Sequence, residues 1–255
     1  MKRELMTFES QCLERYMDML VYGEPGGWPV IAFPTQDSPC NNFEDFGLID
    51  TLAPFIDSGQ IQLFCVSNVD KETWSDTDGD KDHRAWLLEQ YYHYVFDELV
   101  PFVGEKSGTG LRPFAIGCSM GATHSAIVAL RRPDLFEGCI ALSGVYDAHY
   151  FFGDWMSPTL YLNSPTDFVP NMPFDHPLID VYNHRQLVLC VGQGAWEDEG
   201  VRTQGILADA FSRLGINAWC DFWGYDVNHD WPWWKKQLPY FLPTVLEAAK
   251  KEAQA

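Results

Sequence analysis

The sequence alternates short apolar runs of strand length with segments in which apolar residues recur at helical spacing. Runs such as Ile61–Val66 and Gly138–Leu142 are apolar at nearly every position, as strands covered on both faces are. This alternation is typical of an α/β domain built around a mostly parallel sheet. It predicts strands over residues 28–33, 61–66, 113–117, 138–142, 187–191 and 217–223.

Helices are predicted between these strands, over residues 42–56, 85–102, 201–214 and from 231 into the charged tail. Residues 147–185 have no sustained period and are rich in Pro, Asn, Asp and aromatic side chains. We expect this segment to form a cap or lid inserted between two strands. The length of 255 residues suits one domain with a sizeable core, so residues 1–255 are predicted to form a single unit.

The composition is strongly acidic, with 17 Lys and Arg against 36 Asp and Glu and a formal net charge of −19. Such a charge repels nucleic acid and anionic lipid, so neither is predicted as a partner, and a neutral or cationic small molecule is the easier substrate. Neither a signal peptide nor a membrane span is evident, which predicts a cytoplasmic protein. The sequence leaves open whether the chain forms a homo-oligomer.

Seven scattered cysteines include no C-x-x-C pair, and several fall in apolar runs, so they are predicted to be buried thiols in a reducing compartment. Residues 76–82 alternate carboxylates but lack the Gly and Glu positions of a calcium-binding loop. That segment is predicted to be a solvated acidic loop. No metal and no cofactor is expected.

Residues 117–121, Gly-Cys-Ser-Met-Gly, match the pattern G-x-S-x-G and lie between a predicted strand and a predicted helix. In that setting the pattern indicates a nucleophile on a sharp strand-to-helix turn, where small neighbours leave room for a strained serine. The helix that follows would direct its positive end toward a developing oxyanion. The alternative is a serine that only caps a tight turn. Ser119 is the candidate nucleophile.

A serine hydroxyl needs a base and an orienting acid, and where the serine lies on such a strand-to-helix turn these follow it in the order acid, then histidine. Glu197 and Asp198 follow the predicted strand 187–191, at the sheet edge where active sites of open α/β folds lie. Glu197 is the first choice and Asp198 the reserve. His229 lies in the loop that enters the last helix, from which it can reach the serine.

Acyl transfer also needs N–H donors for the oxyanion. The backbone N–H of Met120 is one candidate, and that of Gln36, in the loop after strand 28–33, is the other. The alternative for this loop is an ordinary Pro-containing turn that caps the next helix.

Aromatic residues are frequent in loops expected around the catalytic face, and two of these, Trp196 and Phe151, lie near the predicted acid and in the insertion. They could stack on a sugar or phenolic group, or form core beneath the lid. We assign the substrate pocket to Trp74, Tyr146, Trp155 and Trp231.

Two longer blocks carry a family resemblance: Gly-Cys-Ser-Met-Gly-Ala at 117–122 and His-Asp-Trp-Pro-Trp-Trp-Lys-Lys-Gln-Leu-Pro at 229–239. They resemble the putative esterase family of α/β hydrolases, which includes esterase D, feruloyl esterases and mycolyltransferases. The resemblance implies an α/β-hydrolase fold with Ser119 as nucleophile and His229 as general base. Residues 194–197 resemble the family's G-x-x-D acid motif with Glu in place of Asp, and the adjacent Asp198 keeps the choice of acid open.

These observations predict a serine esterase that cleaves a carboxylic ester, of an acylated sugar or a phenol, through an acyl-serine intermediate. Two alternatives stay open. One is an acyltransferase that uses the same triad with a water-excluding acceptor site. The other is a catalytically silent binding module that kept the fold.

Overall fold

The computed structural model describes residues 1–253 and contains one eight-stranded sheet in the order β1-β2-β4-β3-β5-β6-β7-β8. Strands β3 to β8 run parallel to their neighbours, whereas the β1–β2 hairpin joins β4 in antiparallel pairing. The strands are β1 (Arg3–Ser10), β2 (Arg15–Tyr22), β3 (Trp28–Phe33), β4 (Ile61–Val66), β5 (Phe114–Cys118), β6 (Gly138–Leu142), β7 (Gln186–Val191) and β8 (Trp219–Phe222). The predicted α/β class is confirmed.

The α-helices are α1 (Asn42–Asp45), α2 (Leu48–Asp57), α3 (Lys81–His93), α4 (Val100–Ser107), α5 (Met120–Arg131), α6 (His149–Phe152), α7 (Pro158–Tyr161), α8 (Pro165–Phe168), α9 (Leu178–Asn183), α10 (Asp198–Leu214) and α11 (Trp231–Glu252). The predicted helix over 42–56 is interrupted, because Gly47 takes a left-handed conformation at φ 70° between α1 and α2. A π-helical segment, Tyr94–Leu99, joins α3 to α4.

Each face of the sheet carries its own helical layer. Helices α3, α5 and α10 pack with side chains such as Phe64 and Ala141 on one face. Helices α2 and α11 pack with Ile116 and Ile140 on the other. Covering both faces explains why the parallel strands read as continuous apolar runs. It also leaves the carboxyl edge of the sheet for loops, which is where polar side chains gather.

The predicted insertion, residues 147–185, consists of the four short helices α6 to α9 with irregular connections. Its buried side chains, among them Phe152, Leu160 and Tyr182, join the core cluster of α3, α5 and α10. The insertion is therefore packed onto one helical layer as well as lying beside the sheet's carboxyl edge. Within residues 1–253, no helix has both the length and the apolar character needed to cross a membrane.

Candidate active site

Ser119 occupies the turn between β5 and α5 with φ 57° and ψ −124°, a conformation that L-residues rarely adopt. Its N–H donates to the carbonyl of Leu142 at 2.9 Å, which ties the turn to the neighbouring strand. Two glycines make the turn possible. A Cβ on Gly117 would lie 2.2 Å from the carbonyl carbon of Gly121, and a Cβ on Gly121 would lie 2.2 Å from the carbonyl oxygen of Phe33.

Three predicted site residues form one hydrogen-bonded line. The hydroxyl of Ser119 lies 2.9 Å from Nε2 of His229, and Nδ1 of His229 lies 3.1 Å from Oε2 of Glu197. Because a carboxylate only accepts, Nδ1 carries the proton and Nε2 is free to accept from the serine. The arrangement can remove a proton from Ser119 and stabilise the charge that then develops on the imidazole.

The structure separates the two candidate acids. Glu197 is 1 % exposed, whereas the next residue, Asp198, is exposed at the start of α10 and makes no hydrogen bond to His229. The geometry therefore places Glu197, and not Asp198, behind the histidine.

The second oxygen of Glu197 has its own partners, which the sequence analysis did not predict. Oε1 accepts from the hydroxyl of Ser143 at 2.6 Å and from the N–H of Gly192 at 3.3 Å. The Ser143 hydroxyl in turn accepts from Nε1 of Trp234 at 3.0 Å. These bonds fix the carboxylate so that Oε2 remains directed at the histidine. Ser143 directly follows β6 and has φ 60°, and its position at the carboxyl edge of the sheet was the signal available in the sequence.

A cavity of about 300 Å³ opens above the serine. Its lining combines the hydroxyls of Ser119 and Ser143 with both predicted oxyanion residues. In chain order the lining residues are Gln36, Ser119, Met120, Thr123, Ser143, Val145, Tyr150, Phe151, Trp196, Asp198, Glu199 and His229. A larger groove of about 540 Å³ lies between the insertion and the α3–α5 side and contains none of the predicted site residues.

Both predicted oxyanion donors are available. Met120 is the first residue of α5, where backbone N–H groups have no partner within the helix. Gln36 follows β3, and its side-chain amide donates to the hydroxyl of Ser75 at 2.7 Å. Neither backbone N–H donates to an acceptor within residues 1–253. Two free donors therefore lie beside the serine, one on α5 and one on the loop after β3.

The four aromatic residues assigned to the pocket do not line this cavity, and that prediction is corrected. Trp74 and Tyr146 are buried in the core. Trp155 stacks on a phenylalanine of the insertion, and Trp231 stacks on Phe46 with ring centroids 4.5 Å apart. All four side chains belong to the core or pack against it, so they bury apolar area instead of facing the substrate.

Other aromatic residues take that place. Phe151 and Tyr150 line the cavity from the insertion, and Trp196 lines it from the loop before α10. Trp196 is 87 % exposed and has φ 66°, so its indole stands at the mouth with little protein around it. Such a ring offers a flat apolar surface to a ligand.

The cavity wall is negatively charged. Apart from His229, its charged residues are Asp198 and Glu199. Glu199 pairs with Arg202 at 2.9 Å, but Arg202 also pairs with Asp147 at 2.7 Å, so one cation is shared by two carboxylates. Asp198 forms no ion pair among the residues that the structure describes. Anionic groups at the mouth are therefore disfavoured.

Comparison with known proteins identifies the family of the chain. Residues 42–245 match the family model described as "Putative esterase". The chain belongs to this family. No protein with a curated description matches significantly. Membership in the putative esterase family supports an ester hydrolase.

Solved structures similar to the esterase share its fold at low sequence identity. A ferulic acid esterase has a TM-score of 0.74 at 16 % identity, covering 97 % of this chain and 98 % of its own. An S-formylglutathione hydrolase from Agrobacterium tumefaciens has a TM-score of 0.73 at 16 % identity, covering 97 % of this chain and 95 % of its own. MPT51 of Mycobacterium tuberculosis has a TM-score of 0.75 at 15 % identity, covering 98 % of this chain and 99 % of its own. The predicted α/β-hydrolase fold is confirmed.

Proposed function

We propose that the protein is a serine carboxylic-ester hydrolase in which Ser119 is acylated and then released by water. The observation that carries the proposal is the line of hydrogen bonds from Ser119 through His229 to Glu197. The strained serine turn and the two free backbone N–H groups beside it support the same reaction. A binding module has no need of this combination.

In the acylation step, His229 accepts the Ser119 proton as the hydroxyl oxygen attacks the ester carbonyl. The N–H groups of Met120 and Gln36 stabilise the oxyanion of the tetrahedral intermediate. Collapse of that intermediate expels the alcohol, which takes the proton from His229 and leaves an acyl-serine. Water then attacks the acyl-serine with His229 as base, and the acid is released.

The lining supports a neutral ester with an aromatic group. Tyr150, Phe151 and Trp196 offer ring surfaces on one side, while Asp198 disfavours an anionic leaving group. The ferulic acid esterase among the similar structures is named for an aromatic acid, which agrees with this choice. We therefore propose phenolic or aryl-acyl esters, including those of sugars, as the substrate class.

Hydrolysis is favoured over acyl transfer because the site is open to water. The His229 side chain is 23 % exposed and the indole at the mouth is almost fully solvated. An acyltransferase has to exclude water from its acyl-enzyme. Product analysis with added methanol or glucose tests this point, and we expect free acid to exceed the transfer product.

The central test is covalent labelling with a fluorophosphonate together with turnover of p-nitrophenyl acetate and methyl ferulate. Ser119→Ala is expected to abolish labelling and to reduce kcat by about 10⁵-fold or more, because the nucleophile is lost. Ser212→Ala, an exposed serine of α10, is the matched control and should behave as wild type. Labelling or turnover that persists in Ser119→Ala would refute the assignment.

A further inference from the structure

A fully buried histidine lies on the helix that follows the nucleophile. His124 of α5 is fully buried, and both of its ring nitrogens are bonded: Nε2 to Oδ1 of Asp70 and Nδ1 to the hydroxyl of Tyr92, each at 2.9 Å. In the tautomer in which Nε2 donates to the Asp70 carboxylate, Nδ1 accepts from the Tyr92 hydroxyl. The catalytic cavity does not include this histidine.

The pair is not arranged for stability alone. Asp70 is completely buried, yet its second oxygen, Oδ2, has no hydrogen-bond partner among the described residues. Burying a carboxylate with an unsatisfied oxygen costs free energy that an apolar pair would not. A polar contact with this cost points to a role besides packing.

Asp70 organises the turn that follows it. Its carbonyl accepts from the N–H of Thr73 at 3.0 Å and of Ser75 at 2.9 Å. The hydroxyl of Ser75 accepts from the side-chain amide of Gln36 and donates to Oδ1 of Asp37, both at 2.7 Å. Hydrogen bonds made by the side chain and backbone of Asp70 and of Ser75 thus connect α5 to the loop that follows β3.

That loop and α5 carry the two oxyanion donors. The N–H of Met120 is fixed by the helix, but the N–H of Gln36 belongs to a short irregular segment in which Asp37 has φ 60°. An oxyanion hole works only if both donors point at the same oxygen. The Gln36 donor therefore needs an external anchor. Asn42 Oδ1 accepts from the N–H of the preceding Thr35 at 3.0 Å, and the bond to Ser75 is the contact that reaches Gln36 itself from outside the loop.

We propose that Asp70, His124 and Ser75 are positioning residues of the oxyanion hole. His124 bonds the Asp70 carboxylate, the Asp70 carbonyl accepts from the Ser75 N–H, and the Ser75 hydroxyl accepts from the Gln36 side-chain amide. Together these bonds keep Gln36 at a fixed place relative to Met120. This inference rests on the proposed function, because it assigns Gln36 and Met120 as oxyanion donors. None of the three positioning residues touches the substrate.

Ser75→Ala tests the proposal at a residue whose loss leaves the core intact. We expect kcat for p-nitrophenyl acetate to fall about ten-fold with KM changed by less than about two-fold, since misplacing one donor forfeits part of the 10²–10³-fold that a donor contributes. The affinity for a trifluoromethyl ketone, which forms an oxyanion on Ser119, should fall by a similar factor. Thr77→Ala, an exposed hydroxyl of the same loop, is the matched control and should change neither quantity.

Ser75→Thr keeps the hydroxyl and is expected to restore kcat and ketone affinity. Asp70→Asn should lower kcat in the same direction as Ser75→Ala. Wild-type kcat and ketone affinity in folded Ser75→Ala would overturn the proposal, as would a loss that Ser75→Thr does not recover. Turnover in Ser119→Ala would instead refute the proposed function, so the two failures are distinguishable.

Discussion

Ser143→Ala is expected to slow catalysis by weakening the support of Glu197. In the wild type the Ser143 hydroxyl donates to Oε1 at 2.6 Å, and the remaining donor, the Gly192 N–H, lies at 3.3 Å. A hydrogen bond to a charged group contributes about 1.5–3 kcal/mol. If roughly half of this supports the orientation of the carboxylate in the transition state, kcat falls by about three- to ten-fold, because 1.4 kcal/mol corresponds to one decade.

The same substitution also affects folding stability. It leaves Nε1 of the buried Trp234 without its acceptor, which costs about 1–3 kcal/mol. In a chain of this size each kcal/mol corresponds to about 2–4 °C in Tm. Ser107→Ala, another buried serine far from the site, controls for general destabilisation. Steady-state kinetics well below Tm separate the two effects, and an unchanged kcat in folded Ser143→Ala contradicts the positioning of Glu197 by this hydroxyl.

Three further predictions follow from the site and the core. Glu197→Gln should lower kcat by about 10³–10⁴-fold. Asp198→Asn should leave turnover of neutral esters within about three-fold of wild type. It should also raise kcat/KM for an anionic ester several-fold at low salt. Equal losses of kcat in Glu197→Gln and Asp198→Asn would refute the choice of Glu197 as the acid. Trp196→Ala should raise KM for aryl esters by about three- to ten-fold. Its Tm should not change, because the ring of Trp196 is exposed. An unchanged KM would exclude Trp196 from substrate binding. Burial raises the pKa of the thiols of Cys139 and Cys220 to about 12, so both stay protonated at pH 8 and should resist iodoacetamide until the protein unfolds; mass spectrometry of the native protein would reveal any labelling.

The buried strands and the nucleophile turn were predictable because their signals are local. Ile61–Val66 and Gly138–Leu142 were predicted with the bounds that the structure shows, since burial on both faces demands continuous apolar side chains. The hairpin β1–β2 was missed. In β1 the side chains alternate between exposed and partly buried, and polar residues dilute the strand signal.

The contacts that complete the site were not predictable, because they depend on how distant loops meet. Ser143 belongs to no motif, and its bond to Glu197 joins the ends of β6 and the loop after β7. Trp74 and Trp196 both read as loop tryptophans, yet one is buried and the other is 87 % exposed. Loop position predicts nearness to the site but not the direction of a side chain.

The contact between Gly121 and the carbonyl oxygen of Phe33 has a consequence for how this esterase can diversify. The nucleophile helix rests on the end of β3 at a separation that no side chain can enter, so the spacing between serine and oxyanion loop cannot drift gradually by substitution at this point. The insertion is under no such restriction at Gly153, where an added Cβ would meet no atom within 4 Å, and its cavity-lining Tyr150 is 59 % exposed. New specificities can therefore arise by substitution at exposed positions of the insertion around an unchanged catalytic centre, and a directed-evolution library gains most by sampling those positions.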